Sequence, residues 1–174
     1  RGTPEHCGVM KRVDIITSTM GKAMGGAAGG FTTGKKELID FLRQRSRPYL
    51  FSNALPPMIC SATMAVLKLL GKSTTLRDKL EENTHYFRAE LKKAGLNILE
   101  GAHPITPIMF GDARLASDVA KNMLKEGIYV KGFSFPVVPK GAARIRCQVS
   151  AAHTKEHLDK TVAAFVRVCK KHTS

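Results

Sequence analysis

Tryptophan is absent from this sequence, and the other large aromatic residues are few, with three tyrosines and eight phenylalanines. Acidic residues are also scarce, because 14 Asp and Glu stand against 28 Lys and Arg, which gives a net charge of +14. Such an excess predicts either a polyanionic partner or a basic surface that solvent or another part of the protein neutralises. Proteins that stack RNA bases interleave aromatic with basic side chains, and that signature is missing. Nucleic acid is therefore not the expected partner.

Long apolar runs are missing as well. No segment reaches the roughly 18 uncharged apolar residues that a membrane-spanning helix needs, and the richest stretch, Pro56–Leu70, contains Lys68. The four cysteines are far apart and form no C-x-x-C pair, which counts against a disulfide framework and a zinc ribbon. We therefore expect a protein of a reducing compartment that does not insert into a membrane.

The patterning predicts an α/β chain with a domain boundary near Gly71. In residues 1–71 the elements expected from periodicity and proline positions are a buried strand at Val13–Thr19, a strand at Gly29–Gly34, a helix over Lys35–Arg45, an extended segment at Arg47–Asn53 and a helix from Pro56 to Leu70 that Gly71 ends.

The order of elements in residues 72–174 predicts a small α+β domain whose helices cover one side of a sheet. Its expected elements are a helix over Ser73–Ala94, strands at Leu96–Leu99 and Ile105–Phe110, a helix over Ala113–Lys125, strands at Ile128–Val130 and Arg144–Ser150, and a last helix that Thr154 caps and that reaches about Lys170.

One lysine differs from the others because it follows the predicted buried strand on a loop rich in glycine. The segment at 18–26 reads STMGKAMGG and contains Lys22. A lysine that reacts with an aldehyde cofactor must be accessible and partly deprotonated. Nearby hydroxyls, such as those of Ser18 and Thr19, and glycine amides can bind the phosphate of such a cofactor. A tight glycine turn with an exposed lysine has the same pattern, so the spacing leaves both interpretations open.

The run DIITSTMGKAMGGAAGG at 14–30 resembles the cofactor-lysine segment of the α-oxoamine synthases, fold-type-I pyridoxal-phosphate enzymes that condense an amino acid with an acyl-CoA. The resemblance continues in RQRSRPYLFSN at 43–53, FPVVPKG at 135–141, ARIR at 143–146 and SAAHT at 150–154, and so covers nearly the whole chain. It implies that residues 1–71 are the end of the large cofactor-binding α/β domain and that residues 72–174 are the small carboxyl-terminal α+β domain.

This resemblance also implies a role for each of four residues. The cofactor would be pyridoxal 5′-phosphate, which Lys22 would bind covalently before moving the proton removed from the substrate Cα. Thr19 would hydrogen-bond the cofactor phosphate, and Ser52 of the neighbouring subunit would reach the same phosphate, which implies a homodimer with the active site at its interface. Arg146 would grip the substrate carboxylate with two parallel donors. A strand arginine in a surface ion pair has the same sequence pattern.

The segments at 43–53 and 136–146 best suit the member of this family that condenses glycine with acetyl-CoA, mitochondrial in a eukaryote and cytoplasmic in a bacterium. Synthesis of 8-amino-7-oxononanoate or 5-aminolevulinate is the alternative within the family, and a basic nucleic-acid-binding module is the alternative outside it. The chain begins without an initiator Met. The acidic residue that the family places at the pyridine nitrogen, and its ring-stacking histidine, are therefore expected upstream, and the 174 residues alone are expected to be inactive.

Two further patterns match other motifs only in part. The stretch from Gly29 to Lys35 has the spacing of a phosphate-binding P-loop, but Lys36 stands where that motif needs Ser or Thr. The sequence HTKEH at 153–157 fits the zinc peptidase pattern H-x-x-E-H, although both histidines would then have to lie within a helix that Thr154 is expected to begin. We expect neither a nucleotide triphosphatase nor a metal site.

Overall fold

The computed structural model describes residues 2–25 and 28–171, which divide into two units between Ser73 and Thr74. Unit 1, up to Ser73, combines a two-stranded antiparallel sheet with helices. Its elements are α1 (Thr3–His6), a 3-10 turn (Met10–Arg12), β1 (Ile15–Thr19), β2 (Gly30–Gly34), α2 (Lys36–Arg45), α3 (Arg47–Leu50) and α4 (Pro57–Lys72).

The first strand predicted for unit 1 is not buried as expected, since four of the five residues of β1 are exposed and the fifth is half-buried, in a sheet of only two strands. Both predicted strands are nevertheless present, as β1 and β2. Their register joins Ile15 to Gly34 and Thr19 to Gly30. Glycine is required at position 30, because a Cβ there would lie 2.6 Å from the carbonyl oxygen of Ser18. The backbones of the two strands therefore approach closely just before the glycine-rich loop, and this fixes where the loop leaves the sheet.

Two predictions for the helices of unit 1 are wrong in detail. Helix α2 confirms the helix predicted at Lys35–Arg45, but the segment predicted as extended begins with the short helix α3. Pro48 lies in the first turn of α3, where the missing backbone N–H costs no hydrogen bond. Gly71 does not end α4 either, since the helix continues to Lys72 and Ser73 takes the extended backbone that stops it.

Unit 1 buries few side chains. Of its described residues, only Met20 and Thr63 are buried. Phe51 is 76% exposed and Met58 is 68% exposed, although both are large apolar side chains. Over the two ranges described, no helix is both long and apolar enough to cross a bilayer. Unit 1 therefore has an exposed apolar surface of the kind that marks an interaction site.

Unit 2, from Thr74 onward, has a core of its own beneath a three-stranded antiparallel sheet in the order β3-β5-β4. Its elements are α5 (Thr75–Lys93), β3 (Ile105–Gly111), α6 (Ala113–Lys125), β4 (Lys131–Phe133), β5 (Ala143–Gln148) and α7 (Lys155–Lys170). Side chains from all three helices and the sheet form one cluster, whose fully buried members include Phe87, Leu91, Ile108, Val119, Met123, Ile145 and Phe165.

The helices, β3 and β5 of unit 2 confirm the predictions, whereas the strand predicted at Leu96–Leu99 is reduced to one bridge, between Ile98 and Ile108. The Leu99 amide donates to the Pro107 carbonyl, but Pro107 has no N–H with which to return the bond, so the ladder stops there. The strand predicted at Ile128–Val130 is wrong for a different reason. The amide of Ile128 still bonds the Met123 carbonyl as part of the turn that ends α6, and β4 starts only at Lys131.

Arg88 supplies the hydrogen bonds that this interrupted ladder lacks. Its side chain is 7% exposed. The guanidinium donates to the carbonyl of Leu99 at 2.9 Å, to that of His103 at 3.1 and 3.3 Å, and to that of Ile105 at 3.1 Å. One buried cation on α5 thereby satisfies three backbone acceptors and fixes the loop that leads into β3.

We expect Arg88→Met to lower the free energy of unfolding of the full-length protein by about 2–3 kcal/mol, because methionine fills the space but leaves three carbonyls without a donor. Chemical denaturation followed by circular dichroism measures the change. Arg77→Met, which removes an exposed arginine from the same helix, is the matched control and should change the stability by less than about 0.5 kcal/mol. Equal losses in both variants would contradict this role of Arg88.

Candidate active site

The segment after β1 forms a turn that exposes Lys22. The amide of Gly25 donates to the Lys22 carbonyl at 3.0 Å, and Gly25 has a φ of 73°, a conformation that favours glycine. The side chain of Lys22 is exposed, and its amine forms no hydrogen bond or ion pair with any residue of the described ranges. Gly26 and Ala27 of the predicted glycine-rich loop lie outside those ranges. The accessible amine is what reaction with an aldehyde requires.

Contacts of Thr19 and Met20 anchor this turn. The hydroxyl of Thr19 accepts a hydrogen bond from the Gly21 amide at 3.3 Å, and the Met20 amide donates to the Gly29 carbonyl at 3.0 Å. The Met20 side chain is buried against α4, where the hydroxyl of Thr63 donates to its Sδ at 3.2 Å. A hydroxyl and an unpaired lysine amine therefore lie three residues apart on one turn held by a buried methionine.

Ser52 lies on another part of unit 1, in the bend that follows α3. Its side chain is exposed and follows Phe51, whose ring carries the Arg47 guanidinium 5.4 Å from its centroid. Within residues 2–25 and 28–73, no hydrogen bond joins Ser52 to Lys22 or Thr19. Ser52 is available at the surface, as a contact with a second subunit would require.

Arg146 belongs to unit 2 and lies on the exposed face of β5. It is cross-strand neighbour to Pro107 of β3 and Lys131 of β4. Its guanidinium stacks 4.8 Å from the ring centroid of Phe133. No carboxylate in the described part of the chain forms an ion pair with Arg146. The surface ion pair that the sequence left open is therefore not formed by these residues, and the guanidinium keeps its donors.

A cavity of about 430 Å³ opens beside this arginine. Its lining includes Tyr129, Lys131, Phe133, Gln148 and His153 together with Arg146. Among the described residues that line this space, two side chains are cationic and none is acidic, so it favours an anionic group. Sequence analysis missed Lys131, since only the pairing of β4 with β5 brings it beside Arg146.

Both histidines of the HTKEH segment accept hydrogen bonds from backbone amides. The Nδ1 of His153 accepts from the Ser150 amide at 3.1 Å, and burial, with a smaller effect of the charge on His157, lowers the pKa of His153. His157 and Thr154 cap α7 reciprocally through their side chains and backbone amides. No cluster of three or more potential metal ligands occurs among the residues whose placement is described.

The structure also shows the backbone conformation of the segment that partly matches a P-loop. Residues Gly30–Gly34 form the extended strand β2, hydrogen-bonded to β1, whereas a phosphate-binding loop curls its amides around the phosphate between a strand and a helix. This segment therefore has the backbone conformation of a paired strand and not that of a phosphate-binding loop.

Comparison with known proteins provides separate evidence on the family of this chain. The sequence profile named aminotransferase class I and II matches residues 1–165. The chain is 53% identical over 171 residues to 2-amino-3-ketobutyrate coenzyme A ligase of Escherichia coli strain K12, which covers 98% of this chain and 43% of that protein. It is 54% identical over 172 residues to the mitochondrial protein of the same name from Homo sapiens, which covers 99% of this chain and 41% of that protein.

The likeness extends to solved structures. A variant serine palmitoyltransferase from S. paucimobilis, with a bound PLP–myriocin aldimine, matches with a TM-score of 0.88 at 26% identity, over 98% of this chain and 43% of that one. The predicted fold class, the α/β carboxyl-terminal part of a fold-type-I transferase, and the resemblance to α-oxoamine synthases are both confirmed. The chain spans less than half the length of these relatives, and the roles of the four site residues stay predictions.

Proposed function

Because this chain belongs to the aminotransferase class I and II family, we propose that it is part of a pyridoxal-phosphate-dependent acyltransferase that condenses glycine with acetyl-CoA, giving 2-amino-3-oxobutanoate and CoA. The observation that carries this proposal is the identity of 53–54% along almost the whole chain to proteins named 2-amino-3-ketobutyrate coenzyme A ligase. The activity is that of the longer enzyme. Its location follows the source, mitochondrial in a eukaryote and cytoplasmic in a bacterium.

The residues of unit 1 fit pyridoxal phosphate. An aldehyde needs an accessible amine, which Lys22 supplies. A phosphate needs hydrogen-bond donors, and the Thr19 hydroxyl donates only a long bond, of 3.5 Å, to the Gly29 carbonyl, which a phosphate oxygen could replace. The bound cofactor would act as an electron sink for the negative charge that develops at the substrate Cα. In this proposal residues 1–71 are the end of the large cofactor-binding domain, and residues 72–174 are the small domain.

Lys22 has a second task in this reaction. Its Nζ accepts the proton that glycine loses from Cα, because the amine belongs to the same short turn that binds the cofactor and has no competing partner among the described residues. Arg146 meanwhile holds the glycine carboxylate through its planar fork, which fixes the direction of the Cα–H bond as well as the charge. Its stacking on Phe133, and the fact that no carboxylate of the described residues pairs with it, support this role.

The proposal includes a homodimer. Ser52 is exposed at the end of α3, beside Phe51 with 76% of its surface exposed, and a buried subunit contact would cover that ring. In the proposed assembly the Ser52 hydroxyl of one subunit donates to the cofactor phosphate in its partner. Each of the two sites is then built from both subunits.

Replacing Lys22 tests the proposed function. In the full-length enzyme, Lys22→Ala should remove the absorbance of lysine-bound cofactor and lower glycine-dependent CoA release by about three orders of magnitude or more, since no neighbouring amine replaces it. The matched control is Lys35→Ala, which removes an exposed lysine from the start of α2 and should leave both readouts unchanged. Normal turnover and spectrum in Lys22→Ala would assign the cofactor lysine elsewhere. Salt-sensitive RNA or DNA binding by a wild type without cofactor absorbance would favour a basic binding module.

Mixed dimers test whether Ser52 acts across the interface. We expect Ser52→Asp homodimers to bind the cofactor weakly, because a second negative charge faces the phosphate. When Lys22→Ala and Ser52→Asp subunits are combined, one site of each heterodimer carries both changes and the other carries neither. Purified heterodimers should therefore recover about half of the wild-type activity. If Ser52 acted within its own subunit, every site would keep one defect and no activity would return.

Arg146→Lys tests the carboxylate clamp. Lysine keeps the charge but offers one point donor instead of a fork, so the KM for glycine should rise roughly ten- to hundredfold while the cofactor spectrum and the KM for acetyl-CoA stay close to wild type. Arg144→Lys on the same strand is the control, since Arg144 already donates to the Ala142 carbonyl at 3.0 Å. Equal weakening of both substrates would indicate a folding defect, and an unchanged glycine KM would make Arg146 structural.

A further inference from the structure

Lys131 stands directly across the sheet from Arg146. The two residues are Cα partners in the antiparallel pairing of β4 with β5. Directly opposed residues project to the same side of a sheet, with Cβ atoms about 5 Å apart. Both side chains are exposed, and both line the cavity of about 430 Å³ beside β5. Two cationic groups therefore share one side of one cavity.

This pair is electrostatically unfavourable as it stands. Like charges on directly opposed strand residues repel each other, and neither Lys131 nor Arg146 forms an ion pair with a carboxylate in residues 2–25 or 28–171. Several other basic residues of unit 2 do have acidic partners, such as Lys92 with Glu100 and Arg167 with Glu126. Lys131 and Arg146 therefore place two uncompensated positive charges side by side where the cavity opens, and this pair favours an anionic ligand.

We propose that Lys131 is a second binding residue for the carboxylate of the amino-acid substrate, donating from its ammonium group to the oxygens that the Arg146 fork already holds. This inference rests on the proposed function. A carboxylate has about four acceptor positions, and a bidentate arginine occupies two of them, so a third donor can be accommodated. Because this contact acts on the carboxylate and not on the reacting bond, it lowers the KM for the amino acid and changes kcat little.

Phosphate groups of the acyl-CoA share the anionic chemistry of a carboxylate and could neutralise the same lysine. The two sources differ in which kinetic constant responds. A contact with the amino-acid carboxylate changes the KM for glycine, whereas a contact with the CoA phosphates changes the KM for acetyl-CoA. Substitutions at position 131, with both KM values measured for each variant, therefore distinguish the two anions.

The test uses the full-length enzyme with three substitutions at position 131. Lys131→Met keeps much of the stem without the charge and should raise the KM for glycine about two- to fivefold. Lys131→Glu should raise it further, because its carboxylate would compete for the Arg146 fork, and Lys131→Arg should restore a value near wild type. The control is Lys125→Met, which removes an equal charge from the exposed end of α6 and should leave both KM values unchanged.

A readout without turnover separates binding from structure. In the ligand-free enzyme, Lys131→Met should raise the midpoint of thermal unfolding, because the repulsion with Arg146 is removed; a lowered midpoint would indicate a structural role and overturn the inference. The inference is also overturned if the wild-type enzyme is active but Lys131→Met leaves the KM for glycine unchanged. It is overturned as well if Lys131→Met raises only the KM for acetyl-CoA. If the wild-type enzyme released no CoA from glycine and acetyl-CoA, the proposed function would fail first, and this inference with it.

Discussion

Strand β5 separates the core of unit 2 from the cavity beside Arg146, because successive side chains of a strand point to opposite faces. Ile145 is fully buried among the helices, and the next residue, Arg146, is exposed. Cys147 returns to the core, where burial raises the pKa of its thiol to about 12. A shift of one residue in register would bury the guanidinium and expose the isoleucine. The hydrophobic packing that stabilises the unit therefore also fixes the position of the cation.

Unit 1 has the opposite balance between core and surface. Among its described residues, Met20 and Thr63 alone are buried, whereas unit 2 has a continuous core from five elements. The contact between Met20 and Thr63 holds the turn that carries Lys22. The buried side chains of unit 1 therefore lie next to its candidate site. The remaining apolar surface fits the proposal that this chain is a portion of a longer, dimeric enzyme, in which other polypeptide covers it.

Local signals in the sequence predicted most of this fold. The helix at Ala113–Lys125 agrees to the residue, and Thr154 caps α7 as its position before that helix suggested. One of the failures depends on a residue outside the predicted segment. Pro107 cannot return the hydrogen bond that a strand at Leu96–Leu99 would need, and no local pattern near residue 97 contains that information.

The residues of the candidate site also differ in whether the sequence alone could identify them. Lys22 and Thr19 could be found from the sequence because they belong to one motif on one turn, and the motif resembles that of a known family. The pairing of Lys131 with Arg146 could not, because it depends on the register of two strands that a loop separates. Cross-strand neighbours are set by the global packing of the sheet, and a single sequence does not contain the register explicitly.

The stacking of Arg146 on Phe133 has a consequence for the entropy of binding. An unrestrained arginine loses up to about 2 kcal/mol of rotamer freedom when a ligand immobilises it. The ring at 4.8 Å restricts the guanidinium plane before any ligand arrives, so part of that loss has already been incurred during folding. In the proposed role of Arg146, less conformational entropy would then remain to be lost when the substrate carboxylate binds.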